Sequence, residues 1–243
     1  MTNVGFQLYS LHAVDDPLPT VVERVGETGF EGVEFAGLDG ASVAALTDAL
    51  DAAGLDAAGA HVALDDIEAD PAGVAETYRA LGCTDVAVPW LDPEHFASAD
   101  AVEATGERLD AAARALDEHG LTLHYHNHDQ ELVEVDGRHA LDYLADVTDV
   151  VGLQPDLGWI GAGGGDPLAF LDAHADRIDQ VHLKDYVAGE PGTVEVGDGD
   201  IDIAAVVEAC REHGFSWLIY EAEERPDSYE TLAHADAVVE RYW

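Results

Sequence analysis

Three histidines stand at alternating positions in the middle of this chain, at the end of an apolar run: Leu121-Thr122-Leu123-His124-Tyr125-His126-Asn127-His128-Asp129-Gln130-Glu131. Side chains of a strand alternate between its faces, so His124, His126 and His128 share one face if the strand extends that far. Imidazoles lined up in this way bind metals or move protons. A polar edge strand with incidental histidines is the plain alternative, and the stretch by itself does not separate the two. Further along, Asp156, His182 and Glu221 each close a strand-like run. Two carboxylates and one imidazole make a mixed oxygen–nitrogen set that suits a divalent ion such as manganese, magnesium, cobalt or zinc. Any one of them alone reads as a hydrogen-bonded structural residue. Three at matching strand ends, beside a histidine-rich fourth, point to a metal. Lys184 is the chain's only lysine and follows His182 by two positions. A residue type that the surface excludes, kept here, points into the site, where an ammonium would bind an enolate oxygen or a substrate hydroxyl. A surviving surface lysine is the alternative.

Regularly spaced elements must position these groups. Strand-like segments cover residues 4–8, 32–35, 55–62, 85–89, 150–154, 178–183 and 216–221, with the histidine stretch as the fifth strand in order. Helix-like segments cover residues 17–28, 42–53, 71–81, 99–119, 139–145, 167–174, 201–213 and 228–242. Pro17 opens the first helix, and Gly54, Gly82 and Gly120 close later ones. Strands alternating with helices imply parallel pairing through crossover helices. Eight such units in about 250 residues is the size of a TIM barrel. A doubly wound open sheet is the structural alternative, but Tyr9-Ser10-Leu11-His12-Ala13 after the first strand lacks the glycines of such folds. No linker or compositional break divides the chain, so residues 1–243 are expected to form a single-domain α/β (β/α)8 TIM barrel. The glycine-rich run at 161–167 reads as a loop entering a helix, since no Lys and Ser/Thr follow to make a phosphate cradle.

In a TIM barrel, function gathers at the C-terminal ends of the strands. The polar residues expected there are Gln7 and Tyr9, Glu34, His61, the stretch from His124 to Glu131, Asp156, His182 and Lys184, and Glu221 and Glu223. His119, His174 and His213 sit at helix ends and read as helix-terminal cations or solvated residues.

Charge narrows the surroundings. The chain carries 51 acidic against 10 basic residues, a formal charge of −41. Self-repulsion of that size opposes a compact state in dilute buffer, and molar salt relieves it by shortening the Debye length to about 3 Å. The expectation is a high-salt cytoplasm. Disorder is excluded, because 47% of the residues are hydrophobic and recur with clear periods. No cationic footprint for nucleic acid is visible. There is no signal-peptide pattern at the N-terminus and no apolar run of membrane-spanning length. Cys83 and Cys210 are far apart and read as reduced thiols. Whether copies associate into a homo-oligomer is left open.

Several motifs now stand in order: Gln7-Leu8-Tyr9-Ser10-Leu11, Gly32-Val33-Glu34-Phe35, His126-Asn127-His128-Asp129-Gln130-Glu131, Asp156-Leu157-Gly158-Trp159, Val181-His182-Leu183-Lys184-Asp185 and Gly197-Asp198-Gly199-Asp200-Ile201-Asp202. Through them nearly the full chain resembles the sugar phosphate isomerase/epimerase family of xylose-isomerase-like TIM barrels. The resemblance implies one divalent metal, manganese first, held by Glu, Asp, His and Glu from successive strands. Asp156, His182 and Glu221 take three of those places. Where sugar 3-epimerases of the superfamily have a glutamate on strand five, this chain is read as having His124. Glu131 is then the expected fourth ligand, looping back to the metal, with His126 or His128 as alternatives. His12 stands where relatives often have arginine.

The resemblance further implies isomerisation or epimerisation of a sugar, keto-sugar or polyol through an enediolate. Glu221 and Glu131 are the expected acid and base, and Lys184 and His61 the groups that stabilise developing negative charge. Tyr9, Glu34, His126, His128 and Trp159 are expected to line the substrate pocket, with Tyr9 and Trp159 as flat walls or rim packing. The nearest rival is a dehydratase acting on an inosose- or dehydroshikimate-like substrate, since the same enolate can expel a β-hydroxyl. A metal-dependent endonuclease and a non-catalytic sugar-binding barrel are more distant, the first because of the acidic charge. No phosphate cradle or cation cluster is visible, so an unphosphorylated substrate is at least as good an expectation.

Overall fold

The computed structural model describes residues 1–222, 224, 225 and 228–243. Glu223, expected at the end of the eighth strand, lies outside the described residues. Eight strands form the framework: β1 (Asn3–Gln7), β2 (Gly32–Phe35), β3 (Asp56–Ala60), β4 (Asp85–Val88), β5 (Thr122–His126), β6 (Gly152–Gln154), β7 (Gln180–Leu183) and β8 (Trp217–Tyr220). Five of them pair in the order β3-β2-β1-β8-β7 and three in the order β4-β5-β6, every pairing parallel. Isolated parallel bridges close the ring at two seams. His61 with Ala87 joins β3 to β4, and Leu153 with Ile178 and Asp156 with His182 join β6 to β7. The protein is a TIM barrel of one domain, and its backbone ladder is thinnest at these two seams.

Alternation along the strands separates two environments. Val33, Phe35, Leu123, Tyr125, Val181 and Leu183 belong to the apolar core. Glu34, His124, His126, Gln180 and His182, interleaved with them, turn to the opposite face and are buried there. The apolar layer is completed by the helices α1 (Leu18–Val25), α2 (Val43–Ala53), α3 (Leu64–Ala69), α4 (Pro71–Ala80), α5 (Ala99–Asp117), α6 (Ala140–Val147), α7 (Leu157–Ala162), α8 (Pro167–His174), α9 (Ile203–His213) and α10 (Ser228–Tyr242). In α5, Val102, Leu109, Ala113 and Leu116 recur at helical spacing and are buried. Each such leucine contributes roughly 1.5–3 kcal/mol of burial. The starts are capped from within: Ser42 Oγ accepts from Ala45 N, and Ser98 Oγ from Ala101 N. Cys83 and Cys210 are both free and buried, and burial pushes both thiols up to about 12. No helix among the described residues is long and apolar enough to cross a membrane.

Two local departures from the sequence reading shape the site. β1 ends at Gln7, and Leu8–Leu11 turns as a short 3-10 helix, because the Gln7 side chain accepts from Tyr9 N at 3.0 Å and caps it. The run read as a loop from residue 161 is helical through Ala162, the end of α7. Its glycines serve close approach: a Cβ on Gly158 would stand 2.8 Å from the Lys184 main chain, and one on Gly161 would stand 2.2 Å from the Tyr186 ring. Glycine here lets α7 press against the segment after β7.

Candidate active site

Asp156 follows β6 after Pro155 and caps α7, its Oδ1 accepting from Trp159 N at 2.9 Å. Its own N–H donates to Asn127 Oδ1 at 3.0 Å, which ties it to the end of β5. The other carboxylate oxygen, Oδ2, is buried and has no hydrogen-bond partner. Around it, His126, Asp156, His182 and Glu221 each offer one donor atom, all within 4.8 Å of one another. A buried carboxylate oxygen without a partner carries a free-energy cost that a cation removes. Two imidazoles and two carboxylates fit a divalent ion in donor type and number.

His182 sits in β7 between two carboxylates. Its Nδ1 is 2.8 Å from Glu221 Oε2 and its Nε2 is 2.7 Å from Glu34 Oε2. Burial works against its charge, but the two carboxylates prevail and raise it to about 10; a metal held at Nδ1 would displace the proton there and leave the one on Nε2. Burial likewise opposes ionisation of Glu34, which His61 and His182 hold below the usual carboxylate range. For Glu221, the burial penalty is outweighed by Lys184 and by the His182 hydrogen bond, and the carboxyl titrates well below its usual range. Lys184 is 1% exposed. Its Nζ lies 3.5 Å from Glu221 Oε2 and 5.7 Å from the centre of the Trp159 ring. Asp156 is raised to about 7, by burial first, against the pull of Lys184 and His182. Bringing a cation to that carboxyl would keep it ionised.

The structure brings Asp156, His182 and Glu221 together with Lys184. The fourth corner is His126, the last residue of β5, and not Glu131. Glu131 lies in the 3-10 turn Gln130–Leu132, where it accepts from the Tyr125 hydroxyl and, at 2.9 Å, from His128 N. Tyr125 belongs to the apolar core on the helix side of β5, so Glu131 folds behind its own strand, away from the four donors. It is not among the converging donors, where it was expected as a ligand, and it does not line the cleft, where it was expected as acid or base. Burial pushes it up to about 7 against these two hydrogen bonds. His124 is also outside the cluster: it shares the face of His126 but lies two residues earlier, its Nε2 2.8 Å from Asp85 Oδ1.

Above the donor set opens a cleft of about 550 Å³, lined by Tyr9, Ala36, Gly37, His61, Pro89, Trp90, His126, His128, Trp159 and Glu221. Tyr9 and Trp90, each 48% exposed, and Trp159 are its flat walls. His128 lies past the end of β5 between Trp90 and Trp159, at 4.7 and 5.4 Å between ring centres. Burial lowers it to about 4 and also lowers His126 well below the usual histidine range. His61 lines the cleft with both nitrogens engaged: Nε2 is 3.1 Å from Gln154 Oε1, and Nδ1 is 3.5 Å from Gln7 Nε2. It therefore has no spare N–H for a substrate oxygen. Glu34 is fully buried beneath the cleft and holds His182 in place of touching substrate. Trp90, Asn127, Gln154 and Gln180 are site residues that the sequence reading did not single out. Their signals were faint: an aromatic after Pro89 at the end of β4, an amide beside each of two histidines, and amides inside otherwise apolar strands.

The sequence model of the family described as xylose isomerase-like TIM barrel matches residues 22–238. The chain belongs to that family. Similar proteins include the rhizopine catabolism protein MocC of Rhizobium meliloti, 29% identical over 265 residues, 91% of this chain and 79% of that one. An inosose dehydratase of Lactiplantibacillus plantarum is 28% identical over 72% of this chain and 64% of its own length, so less than two thirds of that relative is matched. A sugar phosphate isomerase/epimerase from Parabacteroides distasonis superposes with a TM-score of 0.84 at 20% identity, covering 99% of this chain and 97% of that one, which is likeness in fold.

Proposed function

We propose that this xylose isomerase-like barrel uses one divalent metal, manganese first, to remove the proton beside the carbonyl of a polyhydroxylated, unphosphorylated substrate. We further propose that the resulting enediolate loses a neighbouring hydroxyl, a dehydration. The observation that carries the reading is the partnerless Asp156 Oδ2 among four converging donors on the floor of the cleft. His126, Asp156, His182 and Glu221 would hold the ion, which when bound acts as a Lewis acid and makes the proton next to a carbonyl more acidic. Glu221 lines the cleft as a carboxylate, the form that accepts a proton. Lys184 beside it stabilises the negative charge that then develops on oxygen. Tyr9, Trp90 and Trp159 offer apolar faces to the C–H side of a sugar-like ring and exclude water. Glu221, having taken the proton, returns it to the departing hydroxyl, and water leaves.

Dehydration is preferred over the epimerisation expected from the sequence because inversion needs a second group that delivers a proton to the other face, and over isomerisation because of the similarity to inosose dehydratases. Among the described residues lining the cleft, His126 and His128 are kept neutral by burial, and the nitrogens of His61 are engaged. The test is incubation of manganese-loaded protein with an inosose and with a ketohexose in deuterated water, read by mass spectrometry and proton NMR. A product lighter by one water is expected from the inosose. Deuterium uptake at unchanged mass of the carbon skeleton returns the reaction to isomerisation or epimerisation, and no exchange with either substrate refutes enolisation. The charge of −41 supports a high-salt cytoplasm as the working environment. A melting temperature that rises with potassium chloride up to molar concentration is expected, and an unchanged one would refute salt adaptation.

A further inference from the structure

An imidazole can ligate a metal through one nitrogen only when its proton sits on the other. In this barrel a chain of directional hydrogen bonds decides where that proton sits, and it starts at a main-chain carbonyl. Ala58 O can only accept, and Gln180 Nε2 donates to it at 2.6 Å. The Gln180 amide is thereby oriented with Oε1 as an acceptor, which receives Gln154 Nε2 at 2.8 Å. The second hydrogen of that nitrogen goes to Glu34 Oε1 at 2.6 Å. The Gln154 amide cannot turn over without losing both acceptors. Its Oε1 therefore faces His61 Nε2 at 3.1 Å and His126 Nδ1 at 3.2 Å, and both of these must donate. His126 consequently carries its proton on Nδ1 and presents a bare Nε2 on the side of Asp156 Oδ2, 3.9 Å away. All four hydrogen-bonding positions of the Gln154 amide are used, on a side chain with no exposed surface.

The same amide reaches the second imidazole through Glu34. With Oε1 taken by Gln154, Glu34 accepts on Oε2 from Gln7 Nε2 at 2.5 Å and from His182 Nε2 at 2.7 Å. His182 thus keeps a proton on Nε2 and turns Nδ1 to Glu221 and the donor set. Gln154 also spans both seams. From the three-stranded sheet it reaches Glu34 of β2, His61 after β3 and Gln180 of β7, all on the five-stranded side. The donor set is divided in the same way, with His126 and Asp156 on one side and His182 and Glu221 on the other.

We infer that Gln154 is the positioning residue of the metal site: it sets the tautomer of His126, anchors the Glu34 partner of His182, and holds the two halves of the donor set in register. The inference rests on the metal-dependent reading above.

The test titrates chelator-stripped protein with manganese(II), followed by electron paramagnetic resonance, and reads imidazole nitrogen NMR shifts in the zinc-loaded form. The wild type is compared with Gln154→Met, which keeps the length and loses the amide, and Gln154→Glu, which keeps an acceptor for the imidazoles and loses both donors. Gln154→Met is expected to weaken manganese binding by about 10- to 100-fold and to abolish the single Nδ1–H form of His126. Gln154→Glu is expected to retain that tautomer and part of the affinity, and it carries the test should the methionine variant fail to fold. Binding within about twofold of wild type in both variants, with His126 unchanged, overturns the inference. So does an equal loss in both variants with the tautomer intact, which would make the residue merely structural. A wild type that binds no divalent ion overturns the functional reading, and this inference with it.

Discussion

Two sides of the barrel mouth furnish the site, and they are built differently. On the β7–β8 side every functional group is charged and leans on another charge: His182 lies between Glu34 and Glu221, and Lys184 lies beside Glu221. On the β5 side, His126 and His128 are neutral, Glu131 is raised to about 7, and their hydrogen-bond partners are an amide, a phenol and a main-chain N–H. His126 and Glu131 are as deeply buried as His182 and Lys184, so burial alone does not make the difference. Opposite charges in contact keep each other ionised in a low-dielectric interior, whereas a group without such a neighbour gives up its charge. The ionic side can accept a proton and stabilise an anion. The neutral side supplies shape, a lone pair and an aromatic wall.

The strongest challenge to this contrast is removal of the base proposed on the ionic side. Glu221→Gln is expected to lower turnover by about 10²–10⁴-fold with the circular dichroism spectrum unchanged, and retained activity would move the base elsewhere. Next comes Lys184→Met, expected to cost about 10²–10³-fold in kcat in steady-state assays, because one preorganised charge aimed at the developing anion is lost. On the neutral side the corresponding change should appear in stability. The folded-state value of Glu131, about 7, stands above its ordinary 4.5, so the native state binds the extra proton between those values. Its contribution is fully present below about pH 4.5 and is lost as pH rises through about 7, a swing of roughly 3 kcal/mol at most. Glu131→Gln should flatten that part of the denaturant midpoint against pH, and an identical profile in both proteins would place the carboxyl's charge outside the account. The smallest effect is expected at the wall: Trp90→Ala should raise KM about fivefold at unchanged kcat, corresponding to about 1 kcal/mol of ring contact. A loss in kcat instead would give that indole a role in the chemistry.

How far the site was legible in the sequence follows the same division. Asp156, His182, Glu221 and Lys184 come straight off strand ends, where period-two alternation and the barrel's C-terminal face specify their direction. The β5 end resisted the same logic. A strand that stops at His126 and turns carries Glu131 behind itself to the Tyr125 hydroxyl, and no local pattern announces the turn. The α7 helix was hidden for a related reason: Gly161 read as a loop residue, yet it lies in the helix, where it and Gly158 allow contact with Tyr186 and Lys184.

By itself the sequence determined the alternation of strands and helices, hence the barrel, and which residues point to its mouth. Those are properties of periodicity, and periodicity is local. Which of three alternating imidazoles joins Asp156 in the donor set is a property of how the strands pair and where β5 ends. His124 is level with Gly152 and His126 with Gln154, while Asp156 bridges to His182 across the seam. Registers of this kind are settled by contacts such as Gln154 to Glu34, 120 positions apart, which only the closed barrel brings together.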